Sequence, residues 1–215
     1  MAGCFHLFLL GTPGVGKSEV FYPTLSEQIV REGLARETPR IDDFPKLWNI
    51  FQTDREYKRC RRTADGGYKV TDQSIWDEIL KEVNRDVLKM QDDSRVIFIE
   101  FSRPNMVHSL TANFSPEILK RSLVLYALCP FDVCWKRNVA RHKAAKKEGG
   151  DDHLVSREEM ENTYASDDHD TLLRDPRLNT MLIDDSSGDY SKWEADKANI
   201  MARLRAILSP ETVRR

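Results

Sequence analysis

Cysteine is scarce in this chain: there are four in 215 residues, and none is paired as C-x-x-C. That excludes a disulfide framework or a zinc ribbon as the organising principle. Three of the four, counting Cys4, Cys60, Cys129 and Cys134, sit in or beside apolar runs. Buried, reduced thiols of a cytoplasmic protein are the expectation. No apolar run approaches the roughly 20 residues of a membrane span, so no membrane partner is expected. The first apolar run begins a few residues after Met1, which leaves no room for a signal peptide. Neither sign of charge dominates, with 33 Lys+Arg against 35 Asp+Glu. That argues against a protein that coats duplex nucleic acid, although a local basic groove stays open. Internal repeats and low-complexity tails are absent. His6, His108 and His169 have no metal-ligand spacing to cysteines or acids. The length suits one domain, residues 1–215.

What is present is Gly11-Thr12-Pro13-Gly14-Val15-Gly16-Lys17-Ser18, a G-x-x-x-x-G-K-S phosphate-binding loop. The apolar run Phe5–Leu10 precedes it as a buried strand would, and a helix-compatible run follows. In that context the backbone N–H groups point inward around phosphates, Lys17 reaches the β and γ phosphates, and Ser18 holds Mg²⁺. A GTPase would also need N-K-x-D, which is missing. Asp185-Ser186-Ser187-Gly188 matches D-x-x-G but follows the last strand, so the match reads as accidental. A AAA+ or helicase motor would need a longer chain.

Strands are expected at Phe5–Leu10, Val96–Phe101, Leu123–Leu128 and Thr180–Ile183, with a short one near Pro39–Ile41. Helical segments separate them, which implies a parallel sheet covered on both faces. Ile75, Ile79, Val83 and Val87 recur every four residues from Ser74 to about Met90, as a helix's core stripe does. Trp193, Ile200, Leu204 and Ile207/Leu208 form another stripe. Ser115-Pro116-Glu117 reads as a helix cap, and Ser156 with Glu159 as a capping box. Pro23 conflicts with the helix after the phosphate loop, so a kink or a restart near Thr24 is expected. Arg55–Lys69 is basic and lacks periodicity, which suggests an exposed loop or irregular segment. His142–Asp152 is polar and glycine-containing, the expected mobile tip.

Four apolar residues and then Glu100 close the Val96–Phe101 strand in a Walker B pattern, and that acid would support Mg²⁺. Arg103, three residues on, would reach the crevice at the strand ends. Asp42 and Asp43 follow the second strand. Neighbours on an extended segment point to opposite sides, so one of them is expected to face the site. The alternative reading is a pair that caps the helix starting near Phe44-Pro45. Arg137 and Arg141 lie four residues apart, on one helix face. The alternative there is a solvated basic face, because Lys136, Lys143, Lys146 and Lys147 accompany them. Trp48, Phe51, Tyr57 and Tyr68, interleaved with Arg55, Arg59, Arg61 and Arg62, read either as a base-stacking surface or as aromatics packed beneath a solvated face.

These segments together resemble the small P-loop kinases of the adenylate-kinase-like group, in the branch of zeta-toxin-like, chloramphenicol-phosphotransferase-like and polynucleotide kinases. The carriers are the phosphate loop, Arg40-Ile41-Asp42-Asp43-Phe44, and the lid-like run Cys129–Arg141 with His153–Met160 after it. Ser156 stands where the group usually has proline. The resemblance implies an α/β three-layer fold with a five-stranded parallel sheet and a helical lid at about 135–160. It also implies a substrate-side segment at about 42–73, with ATP and Mg²⁺ as cofactors. Asp42, or else Asp43, would accept the proton of the acceptor hydroxyl. Arg137 and Arg141 would close over the phosphates.

The function expected is ATP-dependent phosphorylation of a hydroxyl on a small-molecule or nucleoside-like substrate. The alternatives are a polynucleotide 5′-hydroxyl kinase, with single-stranded nucleic acid as partner, and a nucleotide-binding switch or interaction module without transferase activity.

Overall fold

The computed structural model describes residues 4–147 and 154–208. Strand β1 (Phe5–Gly11) enters the phosphate loop, which continues into a π turn at Lys17–Phe21 and helix α1 (Tyr22–Arg31). Then come β2 (Arg40–Asp42), α2 (Phe44–Thr53), β3 (Cys60–Arg62), β4 (Tyr68–Val70), α3 (Ser74–Lys89) and β5 (Val96–Phe101). Next are α4 (Met106–Asn113), α5 (Pro116–Lys120), β6 (Ser122–Leu128) and α6 (Phe131–Lys147). The chain ends with α7 (Arg157–Glu159), a π turn at Met160–Tyr164, α8 (His169–Arg174), β7 (Thr180–Asp184) and α9 (Trp193–Leu208).

Five strands form one parallel sheet in the order β2-β5-β1-β6-β7, as the alternation of strands and helices leads one to expect. Alternate strand residues face opposite layers. Phe8 and Leu10 pack with Ile97 and Ile99 against the side chains of α2, α3 and α4. Leu7 and Leu9 pack with Phe98, Leu123 and Leu125 against α1 and α9. Both faces are covered, so the inner strands are apolar nearly throughout instead of alternating, with His6 in β1, Glu100 in β5 and Ser122 in β6 as the polar residues. The turns after β1, β2 and β5 all lie at the carboxyl edge of the sheet, where the chain order reverses around β1. Among the described residues no helix is long and apolar enough to cross a membrane. All four cysteines are unbonded thiols, three buried and Cys129 half-buried.

Several local expectations change. Pro23 does not delay the helix to Thr24. The helical ladder instead widens, with Tyr22 N–H donating to Lys17 O in the i→i−5 pattern, and α1 starts at Tyr22 with Pro23 in its first turn. A proline ring there would clash with the carbonyl four residues back in α geometry, and the wider π turn removes that clash. The basic segment is irregular and largely exposed over 55–59 and 63–67, but β3 and β4 within it pair as an antiparallel hairpin, with Cys60 opposite Val70. Residues 142–147 of the expected tip continue α6, whereas 148–152 and His153 lie outside the described residues. Ser115 occupies an N-cap position but its side chain makes no cap bond. The capping box is half formed: Glu159 N–H donates to Ser156 Oγ (3.1 Å), while Glu159 Oε1 accepts from Thr163 Oγ1 (2.9 Å) instead of reaching back.

His6 is a polar residue inside β1, 1% exposed. Its Nδ1 lies 3.1 Å from Arg121 O and its Nε2 2.9 Å from Gln91 Nε2. Burial lowers its pKa below the usual 6.5. Below that value the unfolded chain takes up a proton that the fold refuses, so this stability contribution is lost as pH falls. The stability advantage of wild type over His6→Gln should therefore shrink between about pH 8 and about pH 5 in urea unfolding. An advantage constant across that range would overturn the assignment.

Candidate active site

One cavity of about 270 Å³ opens at the carboxyl edge of the sheet. Pro13, Gly14, Gly16, Lys17 and Ser18 of the phosphate loop line it, with Asp42, Asp43, Glu100, Arg103, Arg137 and Arg141. Gly11, Thr12 and Val15 do not line it and act through their backbones. Thr12 O accepts Val15 N–H (3.1 Å) and closes the loop. Val15 itself is fully buried in the core. Glycine is required at Gly14, where φ is +88° and a Cβ would stand 2.3 Å from Cys134 O of α6. At Gly16, with φ +107°, a Cβ would meet the Tyr190 hydroxyl at 2.5 Å.

Lys17 is 7% exposed. Its ammonium donates to Gly11 O (2.9 Å) and Ser102 Oγ (2.9 Å), and lies 3.4 Å from Thr12 O. Ser102 Oγ in turn donates to Gly11 O (2.7 Å). Burial lowers the Lys17 pKa, and the charges of Glu100 and Asp43 oppose that shift. Glu100, at the end of β5, is itself pushed up by burial, against the pull of Lys17, while Arg40 Nη1 bonds its Oε2 (3.1 Å). Ser18 stands in the first turn of the π segment and faces the cavity. Among the described residues no cluster of three or more His, Cys, Asp or Glu is built to hold a metal unaided. Ser18 and Glu100 are oxygen donors facing the phosphate end, which suits a Mg²⁺ whose other ligands are phosphate oxygens and water.

Asp42 and Asp43 both face the cavity, contrary to the alternation expected of an extended pair. Asp43 has left the strand, with φ −76° and ψ −19°, and is the N-cap residue of α2. Asp42 Oδ1 accepts Phe44 N–H (2.8 Å), so the capping reading and a site position coexist, and its Oδ2 is 3.7 Å from Arg40 Nη2. Asp43 Oδ2 pairs with Arg103 Nη2 at 2.6 Å. Burial raises the Asp43 pKa and Arg103 opposes it.

The two arginines of α6 differ. Arg137 is engaged on the far side of the loop: Nη1 donates to Asp185 Oδ2 (2.9 Å), Nη2 to Gly188 O (2.8 Å), and the guanidinium lies 4.0 Å from the centre of the Tyr190 ring. The D-x-x-G segment set aside as accidental is what positions it. Arg141 faces the cavity one turn further on. Phe44 and Val155, which lie in the Arg40–Phe44 and His153–Met160 runs without a role assigned to them, also line the site, as do Ser102, Leu47 and Tyr164, which no motif marks. Tyr164 is brought in by the second π turn, and burial raises its pKa.

No residue of the basic segment 55–69 lines the cavity. Arg59 is bonded to Asp72 (3.1 Å) and Glu78 (2.6 Å), and Arg61 and Lys69 both reach Glu158 at 2.7 Å. Phe51 and Tyr68 stack at 4.6 Å with Trp48 edge-on to both, so these aromatics pack inward.

No protein-family model matches the chain, and no curated protein does. Among solved structures, the crystal structure of APE1195 matches with TM-score 0.56 and 13% identity, over 97% of this chain and 99% of that one. Kti12 of Chaetomium thermophilum, in complex with ADP-AlF3, matches with TM-score 0.51 and 15% identity, over 95% and 99%. APS kinase of Mycobacterium tuberculosis, in complex with AMPPNP and APS, matches with TM-score 0.48 and 14% identity, over 93% and 99%. The fold is that of the P-loop NTPases, a five-stranded parallel sheet between helical layers.

Asp185 is 2% exposed and also accepts Tyr190 N–H (2.7 Å). Removing it leaves Arg137 without its counter-charge, so Asp185→Ala should cost about 3 kcal/mol in chemical unfolding. A loss under about 1 kcal/mol would mean that Arg137 is held by its other contacts.

Proposed function

We propose that this chain is an ATP- and Mg²⁺-dependent kinase that phosphorylates a hydroxyl of a small-molecule or nucleoside-like acceptor. The observation that carries the reading is one cavity uniting Lys17 and Ser18 of the phosphate loop with a carboxylate, Asp42, two strands away. Two strand spacings are about 10 Å, room for a γ-phosphoryl group and an acceptor hydroxyl between them. Kti12 was solved with ADP-AlF3, and we carry nucleotide binding from it to this chain as part of the proposal. The four unbonded cysteines fit a reducing compartment, the cytoplasm.

Lys17 exchanges its carbonyl and Ser102 partners for β and γ phosphate oxygens. Ser18 and Glu100 would hold Mg²⁺, which would supply charge neutralisation on the phosphates. Asp42 takes the acceptor's O–H proton while the hydroxyl oxygen bonds to the γ phosphorus and the bond to the leaving ADP oxygen breaks. Asp42 suits this better than Asp43, whose carboxylate is already tied to Arg103 at 2.6 Å. Arg141 meets the equatorial charge of the transferring group.

A polynucleotide acceptor is less well supported, because Arg59, Arg61 and Lys69 of the basic segment are paired with acids and the segment stands apart from the cavity. A switch needs no hydroxyl base such as Asp42.

ADP release across a hydroxyl-bearing panel tests the reading. Asp42→Asn keeps an oxygen for Phe44 N–H and should lower kcat by about 10²–10⁴-fold. Arg141→Ala should lower it by about 10³-fold. Asp42→Asn turning over every acceptor like wild type would remove that residue's role. Tight ATP binding without transfer to any acceptor would replace the kinase by a switch.

A further inference from the structure

The corner of the cavity under β2 and β5 carries chemistry that phosphate binding does not use. Arg103 has a side chain only 3% exposed, yet it faces the cavity. Its guanidinium lies 4.2 Å from the centre of the Trp76 ring, which fixes its plane. Nη1 donates to Ser102 O (2.6 Å) and Nη2 is paired with Asp43. Nε and Nη2 are both buried without an aligned hydrogen bond among the described residues, and the Tyr164 hydroxyl is a further polar group beside the guanidinium. An unmet buried N–H costs stability, so it marks a position where a ligand oxygen is wanted.

The charge balance says what kind of oxygen. Arg103 is already neutralised by Asp43. Around this corner stand three carboxylates, Asp42, Asp43 and Glu100, against two cations, Arg40 and Arg103. Lys17 and Arg141 are committed to phosphate when ATP is bound. On the kinase reading Glu100 is taken up by Mg²⁺, which leaves Asp42 and Asp43 balanced by Arg40 and Arg103. An acceptor with its own carboxylate or phosphate would then find no spare cation here and would meet the negative charge of the γ-phosphate. The walls are apolar: Phe44, Leu47, Phe101 and Val155, with the ring of Tyr164. They suit the C–H face of a ring.

Resting on the kinase reading above, we propose that Arg103 and Asp43 form a donor–acceptor fork for an uncharged polyol acceptor. Arg103 Nε–H donates to one hydroxyl of a vicinal pair, and the Asp43 carboxylate accepts the O–H of its neighbour. The class is a neutral sugar, cyclitol or nucleoside, recognised by its diol. Sugar acids, sugar phosphates and nucleotides are excluded by charge.

The test uses the wild-type full chain with MgATP and matched acceptor pairs: glucose with gluconate, myo-inositol with its monophosphate, ribose with ribose 5-phosphate, uridine with its monophosphate. ADP release should favour the neutral member of the preferred pair by about tenfold or more in kcat/KM. Deoxy analogues lacking one hydroxyl of the diol should fall by at least roughly a hundredfold, because a fork member is then left unpaired. Preference for the anionic member, or indifference to the missing hydroxyl, overturns the fork and leaves the kinase standing. Turnover of neither class overturns both readings. The paired variant Arg103→Gln/Asp43→Asn keeps the pair neutral and so avoids an unbalanced buried charge. It should raise acceptor KM about tenfold or more while MgATP still raises Tm. Unchanged acceptor KM in that variant would also overturn the fork.

Discussion

A buried ammonium group organises this molecule. Lys17 is enclosed by its own loop, and its charge is met by Gly11 O and Ser102 Oγ (2.9 Å each), with Thr12 O at 3.4 Å. Such a group is tolerated only when every proton finds a partner and acids stand near. The acids are Glu100 and Asp43, and each is destabilised by burial in turn. Gly11 ends the central strand and Ser102 follows its neighbour β5, so the parallel pairing of β1 and β5 brings these partners together. The pairing of β5 with β2 on its other side puts Glu100 opposite Asp42. The resting site is thus a set of mutually compensating charges, and on the proposed kinase reading a triphosphate would replace weak carbonyl partners with anionic ones.

Two anchors hold the elements that surround this charge set. The loop after β7 grips Arg137 through Asp185 and Gly188, and Tyr190 lies between that arginine and Gly16. On the other side, the β3–β4 hairpin pairs with the chain beyond α6 through the bridge between Tyr68 and Val155. Gly67 allows the approach, since a Cβ there would stand 2.6 Å from Leu154 O. Glu158 is clasped by Arg61 and Lys69, and Arg157 N–H donates to Asp65 (3.0 Å). The basic segment therefore carries Val155 to the cavity wall instead of offering its charges to a ligand. Exposed pairs of this kind each contribute little to stability, but several of them on one hairpin fix its position.

Much of the fold was legible because its signals are local. Phe5–Leu10, broken only by His6, and Val96–Phe101, broken only by Glu100, are apolar on both faces, which only an inner parallel strand requires. The four-residue stripe of Ile75, Ile79, Val83 and Val87 is buried as a helix face must be. The hairpin at 60–70 was not legible, because its strands are three residues each and alternation needs a longer run. The π turn was half legible: Pro23 announced a conflict, but the chain resolved it by widening the ladder. At the site, the phosphate loop, Glu100 and the Asp42-Asp43 pair stood out by motif. Ser102 and Tyr164 did not, being single ordinary residues made important by their neighbours.

The sequence by itself determined the chemistry at the centre of the sheet, because a strand, a glycine loop and Lys17-Ser18 are contiguous and their geometry follows from local backbone rules. It determined equally that strands alternate with helices and that the sheet is parallel. Only the tertiary structure decided which charges are already satisfied. Arg103 with Asp43, Arg137 with Asp185 and Arg61 with Glu158 are separated by 60, 48 and 97 residues, so no local pattern joins them. Long-range electrostatic pairing, which depends on how the sheet brings distant parts of the chain together, decided that Arg103 and Arg137 reach the cavity already bound to carboxylates and that Arg61 serves the hairpin.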